Sequence, residues 1–170
     1  MIPPELSTKS LVIKPYTLLD ENRYVEIATD EISVKFMGGS TVVEEEERKI
    51  FKKIFEIYEA KVTKDFWIWG IYENEVLCGH LELKETEHTN KTELEIVYMI
   101  HPEYRKKGIM TAILSLVKNN QDIWNKKIIA TLSPDNLASL KLLQKWGIES
   151  KEIVIDNEND EPYLRLLLSE

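Results

Sequence analysis

Apolar positions along the chain fall into two spacings. Short runs rich in β-branched and aromatic residues read as strands. They are Leu11-Val12-Ile13, residues 66–72, 76–83, 93–100 and 128–132, then Ile153-Val154-Ile155 and residues 163–168. Elsewhere apolar residues recur every three or four positions, which is the spacing of one helix face. Leu19, Tyr24 and Ile27 predict a helix over 19–29, and Ile50, Ile54, Ile57 and Tyr58 predict a second. Ile109, Ala112, Ile113 and Leu116 predict a third over about 107–119, and residues 137–146 a fourth. The order β-α-α-β-β-β-α-β-α-β-β predicts an α/β (α+β) domain with a mixed sheet of about seven strands and helices on its faces.

Polar and special residues punctuate these elements. Pro15 marks a turn, and Met37-Gly38-Gly39-Ser40 a loop. Thr41 is placed to cap the second helix, whose first turn holds Glu44, Glu45, Glu46 and Glu47 where the helix dipole favours acids. Glu73-Asn74-Glu75 joins two strands as a hairpin. Pro102 ends the strand 93–100. Ser133-Pro134-Asp135-Asn136 leads into the last helix, Gly147 stops it, and residues 157–161 form the final turn. Repeats, low complexity and linkers are absent, so residues 1–170 read as one domain.

The stretch Glu95 to Leu116, EIVYMIHPEYRKKGIMTAILSL, carries the most chemistry. Ile96-Val97-Tyr98-Met99-Ile100 reads as a buried strand. The basic turn Arg105-Lys106-Lys107-Gly108 follows, and then a helix begins. The first-turn N–H groups of a helix lack internal partners and carry partial positive charge. Gly108 permits close backbone approach. The arrangement suits an anion such as a phosphate. From the residues alone, a solvated basic turn is the competing explanation.

Charge sharpens this. The chain has 22 Lys+Arg against 30 Asp+Glu, a net charge of −8, so three clustered cations stand out. The acidic balance argues against nucleic acid and suits a cationic substrate. The composition, 43% hydrophobic and 31% charged, is that of a globular protein. There is no apolar run of membrane-spanning length, and MIPPELSTKS has neither the basic nor the apolar region of a signal peptide. One cysteine, Cys78, excludes an internal disulfide, and a cytoplasmic location is expected.

With the helix-entrance motifs Arg105-Lys106-Lys107-Gly108-Ile109-Met110 and Asn136-Leu137-Ala138-Ser139 in this order, the chain resembles the GNAT acyl-CoA N-acetyltransferases over nearly its whole length. The opening, Lys9-Ser10-Leu11-Val12-Ile13-Lys14-Pro15 followed by Asp20, is similar to the branch containing ribosomal-protein N-terminal (Rim-type) acetyltransferases. The family's first motif is Arg or Gln, two residues, Gly, one residue, then Gly or Ala. Here it reads Arg105-Lys106-Lys107-Gly108-Ile109-Met110, with Met110 in the last place. The second is Asn, two residues and Ser, then a helix closed by Gly and an apolar residue. Here it is Asn136-Leu137-Ala138-Ser139, with Gly147-Ile148 at the close.

The resemblance implies a single GNAT-like domain that moves an acetyl group from acetyl-CoA to a primary amine, directly, in a ternary complex. It implies acetyl-CoA as cosubstrate, a protein N-terminus or small amine as acceptor, and a monomer or homodimer that engages neither nucleic acid nor membrane. The backbone of Tyr98, Met99 and Ile100 is expected to pair with pantetheine. Around Arg105, the amides of Lys106, Lys107, Gly108, Ile109, Met110 and Thr111 are expected to hold the pyrophosphate. Asn136 is expected to bond the pantetheine or acyl end.

Acyl transfer to an amine needs a base, a polarised carbonyl and a proton for the thiolate. Many family members place a Tyr seven residues after the motif Asn; this chain has Leu143. N-terminal alanine acetyltransferases place a Glu five residues before it; this chain has Thr131. Ser139 is the remaining proton donor, with helix capping as its bland alternative. Glu95, where other branches place a base, is the candidate base, against an exposed glutamate beside Glu93. Glu158 and Glu161 could attract the acceptor ammonium or sit in a solvated turn. His80, His88 and His101 lack metal-ligand spacing, and no metal is expected. Cys78 reads as a small buried thiol, and Trp67, Trp69, Trp124 and Trp146 as core. Two alternatives stay open: a catalytically silent acyl-CoA-binding domain, and another phosphate-ligand protein.

Overall fold

The computed structural model describes residues 2–37, 43–60, 66–155 and 161–169. Among these residues, eight strands form one sheet: β1 (Leu6–Ser7), β2 (Leu11–Lys14), β3 (Phe66–Glu73), β4 (Val76–Lys84), β5 (Glu93–Ile100), β6 (Lys127–Leu132), β7 (Ile148–Ile155) and β8 (Pro162–Leu168). Their order is β1-β2-β3-β4-β5-β6-β8-β7. Every pairing is antiparallel except β5 with β6. The fold class stands as expected. The strand beyond the expected seven is the two-residue β1.

Among the described residues, five α-helices accompany the sheet: α1 (Glu21–Ala28), α2 (Glu31–Phe36), α3 (Glu44–Glu59), α4 (Ile109–Lys118) and α5 (Leu137–Trp146). Strand alternation sends side chains to two cores. On β3, Trp67, Trp69 and Ile71 join the cluster under α4 and α5, while Ile68 and Tyr72 join the one under α1 and α3. All four tryptophans are buried. Each fully buried large apolar side chain stabilises the fold by about 1.5–3 kcal/mol. Among the described residues, no helix is long and apolar enough to cross a membrane.

Several local expectations shift. Leu19 is 94% exposed, because a 3-10 turn over Leu18–Asp20 precedes α1 and rotates that position outward. Ile50 is exposed, and the stripe of α3 is carried by Phe51 and Ile54 with Phe55, Ile57 and Tyr58. α2 is a helix where no element was predicted; Asp30 caps it by accepting from the Ile32 and Ser33 amides. Val43 holds the N-cap position of α3, while Thr41 and the loop 38–40 lie outside the described residues. β7 begins at Ile148 rather than Ile153, since an edge strand paired only to β8 needs no apolar alternation over 149–152. The hairpin is as predicted: Asn74 and Glu75 take φ of 49° and 65°, the left-handed pair of a tight two-residue turn.

Candidate active site

β5 and β6 pair only over Glu93–Glu95 with Lys127–Ile129. Beyond that they part. β6 stays with β8, and among the described residues β5 keeps β4 on one side only. The free edge of Ile96–Ile100 faces a cavity of about 920 Å³ that also reaches Gly108, Met110, Asn136 and Ser139. This corrects the reading of Ile96–Ile100 as a buried strand. Only Ile96 is buried; Val97, Tyr98, Met99 and Ile100 are half-buried because they line the opening. An extended ligand can pair with such an edge as an added strand.

At the far end of β5, Gly108 occupies the N-cap position of α4 with φ 80° and ψ 0°. A Cβ there would meet nothing within 4 Å, so the left-handed backbone, not crowding, is what favours glycine. Lys106 also takes positive φ, 61°. Lys106 and Lys107 are exposed, and Lys107 Nζ lies 4.8 Å over the Tyr104 ring. The Met110 side chain packs into the core and also borders the cavity, while its amide remains at the helix entrance. The first-turn amides of Ile109, Met110 and Thr111 have no partner inside the helix. Lys141 and Lys145 of α5 add positive charge to the cavity lining, which the motif reading missed.

Arg105 does something else. Its guanidinium bonds Asp30, reaches Ser33 Oγ at 3.3 Å and donates Nε to the Ile100 carbonyl at 3.1 Å. Burial pushes the Asp30 carboxyl up, but the Arg105 hydrogen bond, with the Ser33 and Ile32 amides, holds it below its usual range. Arg105 thus ties the basic turn to α2, whose Ile32 and Phe36 form another wall of the cavity together with Met37. A contact across 75 residues leaves no local signal in the sequence.

Glu95 is 5% exposed, not the exposed strand-start residue of the bland alternative. Thr86 Oγ1 donates to one carboxylate oxygen at 2.6 Å, and Thr131 Oγ1 donates to the other. At Thr131 the resemblance led one to expect a glutamate; here the threonine orients one instead. Glu93 is also buried and is paired with Arg165 at 2.6 Å, so it is occupied structurally. Glu95 lines the cavity at the last β5 position paired with β6, and is opposite Lys84 of β4.

At the entrance of α5, Asn136 Oδ1 accepts the Ser139 amide at 3.1 Å. Asn136 is therefore the cap, and the Ser139 hydroxyl is not. It lies 2.5 Å from the Tyr98 hydroxyl instead. Burial pushes the Tyr98 phenol up to about 12, with the Ser139 contact pulling the other way. Leu143 is core, 1% exposed.

Of the other sequence candidates, His88 borders the cavity, whereas Cys78, His80 and His101 do not. Cys78 is fully buried, and burial first raises its thiol to about 12, far from a nucleophilic thiolate. His80 is engaged by Tyr16 and Glu82. His88 touches Tyr163, and His101 accepts the Glu103 amide. Among the described residues, no group of three or more His, Cys, Asp or Glu side chains could hold a metal ion. Glu161 is exposed, and Glu158 lies outside the described residues.

A family model described as an acetyltransferase (GNAT) domain matches residues 10–149. No curated protein matches the chain by sequence. Among solved structures, the chain resembles a GNAT-family acetyltransferase from Bacillus anthracis at TM-score 0.75 and 20% identity, over 97% of this chain and 98% of that one. It resembles an acetyltransferase from Salmonella typhimurium that modifies the N-terminal serine of the 50S subunit protein L7/L12, at TM-score 0.78 and 13% identity, over 98% and 100%. A ribosomal L7/L12 α-N-protein acetyltransferase in complex with coenzyme A gives TM-score 0.72 and 13% identity, over 98% and 97%.

Proposed function

The chain belongs to the GNAT acetyltransferase family and is an acetyl-CoA-dependent N-acetyltransferase, and from that premise we propose how its residues divide the work. Acetyl-CoA lies along the free edge of β5. Its pantetheine amides pair with the backbone of Tyr98, Met99 and Ile100. Its pyrophosphate sits on the amides from Lys106 to Thr111, near Lys106 and Lys107. The observation that carries this reading is the parting of β5 from β6, with a clasped carboxylate at one end and a left-handed glycine at a helix entrance at the other.

Transfer is direct. The acceptor nitrogen attacks the acetyl carbon, Glu95 removes the proton that the nitrogen gives up, the C–S bond breaks, and the thiolate leaves toward Ser139. The two threonine bonds to Glu95 support the base role, because they fix the carboxylate and leave lone pairs for the amine. Asn136, already the cap of α5, offers its remaining NH₂ to the acyl end. Arg105 is assigned to holding the cavity wall through Asp30 rather than to direct phosphate contact. We take residues 1–170 as one N-acetyltransferase domain, a reading supported by the single sheet.

For the acceptor, the buried Glu95 and the acidic chain favour a cationic amine. The likeness to enzymes acting on ribosomal proteins puts protein N-termini first in a screen, ahead of polyamines and amino acids. A cytoplasmic site of action is proposed on the lone, buried thiol.

Acetyl-CoA at 100 to 1,000 times its Kd raises stability by about 2.7–4 kcal/mol. Thermal shifts with acetyl-CoA, free CoA and ATP test this, followed by thiol release with the amine panel. No shift at millimolar acetyl-CoA, in a folded sample, overturns the cofactor site.

A further inference from the structure

The α5 entrance holds a pair of hydroxyls that family membership does not account for. Tyr98 comes from β5 and Ser139 from α5, 41 positions apart, with their oxygens 2.5 Å apart. Both side chains line the cavity. The Ser139 amide is taken by Asn136, so its hydroxyl has no capping duty. Helix α5 itself offers no phenol, since Leu143 is apolar and buried.

The donor is assigned by hydrogen-bond satisfaction, with acidity deciding only that Tyr98 keeps its proton. A phenol held near 12 by burial stays protonated near neutrality. It does not surrender that proton to an alkyl thiolate, the conjugate base of a stronger acid (a cysteine thiol titrates at about 8.5). Tyr98 is therefore not the acid. A buried O–H needs an acceptor, and the serine oxygen has lone pairs for it.

We propose that Tyr98 is a positioning residue: its phenol donates to Ser139 Oγ and so turns the serine's own hydrogen toward the sulfur of the bound coenzyme. The inference rests on the cofactor reading above. As the C–S bond breaks, its electron pair stays on sulfur and accepts this hydrogen bond. The proton taken from the amine by Glu95 passes to solvent, and one from solvent neutralises the thiolate. Backbone pairing of Tyr98 with pantetheine and this side-chain role are compatible, because strand side chains stand perpendicular to the ladder bonds.

The test needs no acceptor. Free CoA is bound to the protein, and its thiolate is titrated by ultraviolet difference absorbance, with desulfo-CoA as the blank. Wild type, Y98F, S139A and the double variant are compared. Y98F raises the bound thiol pKa by about one unit, equivalent to about 1.4 kcal/mol. S139A raises it at least as far, and the double variant shifts no further than S139A. A Y98F titration that overlays wild type, with CoA bound, overturns the inference and leaves the cofactor reading standing. So does a double-variant shift equal to the sum of the single ones, which would mean that the two hydroxyls act independently. If Y98F does not fold, S139A decides: an unchanged titration removes the serine as the donor and the inference with it. Absence of CoA binding in calorimetry overturns both readings together.

Discussion

Replacing Gly108 by Asp tests the pyrophosphate site most directly, with Gly108→Asn as its control. Asn has nearly the same shape without the charge, and both residues tolerate left-handed backbone better than most. A Cβ at Gly108 meets nothing within 4 Å, so both side chains start into open space. What remains is the conformational cost at φ 80°, about 1 kcal/mol, shared by both variants. The fold survives that loss. The charge acts only on the ligand. One carboxylate about 4 Å from one phosphate charge costs about 1 kcal/mol in water-like surroundings and about 4 kcal/mol at a typical protein surface. Gly108 is exposed, which favours the low end. Two phosphate charges then give about 2 kcal/mol, or roughly a 30-fold loss of acetyl-CoA affinity relative to Gly108→Asn. Calorimetry at 0.1 M and 1 M salt is the assay. The gap should narrow at high salt, as the screening length falls from about 10 Å to about 3 Å. Equal affinities for the two variants at low salt would refute a pyrophosphate at this turn.

Three further outcomes follow from the same geometry. Glu95→Gln should lower kcat by about 10² or more and flatten the acid limb of the pH–rate profile, with acetyl-CoA affinity retained; a fully active variant would leave direct transfer intact but remove Glu95 as base. Cys78→Ala should leave turnover within about twofold, and mass spectrometry of enzyme with acetyl-CoA alone should show no acetyl adduct, since burial raises this thiol to about 12; an adduct discharged by acceptor would overturn the ternary-complex mechanism. Burial pushes the Glu82 carboxyl up, but the His80 hydrogen bond and charge, and then Lys84, hold it at about 2 against 4.5 unfolded. Its contribution is complete above pH 4.5 and is lost as pH falls toward 2. Urea unfolding should therefore show wild type losing about 2 kcal/mol more than Glu82→Gln between pH 6 and pH 3, and parallel losses would show that the group is not held in this way.

Much of the fold is written locally. Apolar alternation identified seven of the eight strands, and the Asn74-Glu75 hairpin, the Pro102 stop and the Gly147 stop all stand where their backbone requirements put them. The two motifs located both helix entrances, because a glycine before α4 and an asparagine before α5 act on amides within three or four residues of themselves. Side-chain assignments were less legible. Leu19 and Ile50 fit a helical stripe, yet the neighbouring elements leave them in solvent.

The site was decided by tertiary structure, since its defining contacts join residues far apart in the chain. Arg105 belongs to the first motif, but Asp30, 75 positions away, claims its guanidinium. Thr131 looked like the loss of a catalytic group, whereas 36 positions away it grips the carboxylate of Glu95. Ser139 could be read as a proton donor or as a helix cap; Asn136 takes the capping role and Tyr98 meets the serine hydroxyl. Periodicity reports which face of an element is apolar, but not whether protein or ligand covers that face. For Ile96–Ile100 the answer came only from β6 leaving β5 to pair with β8, which turns a run of apolar residues from core into the wall of a cavity.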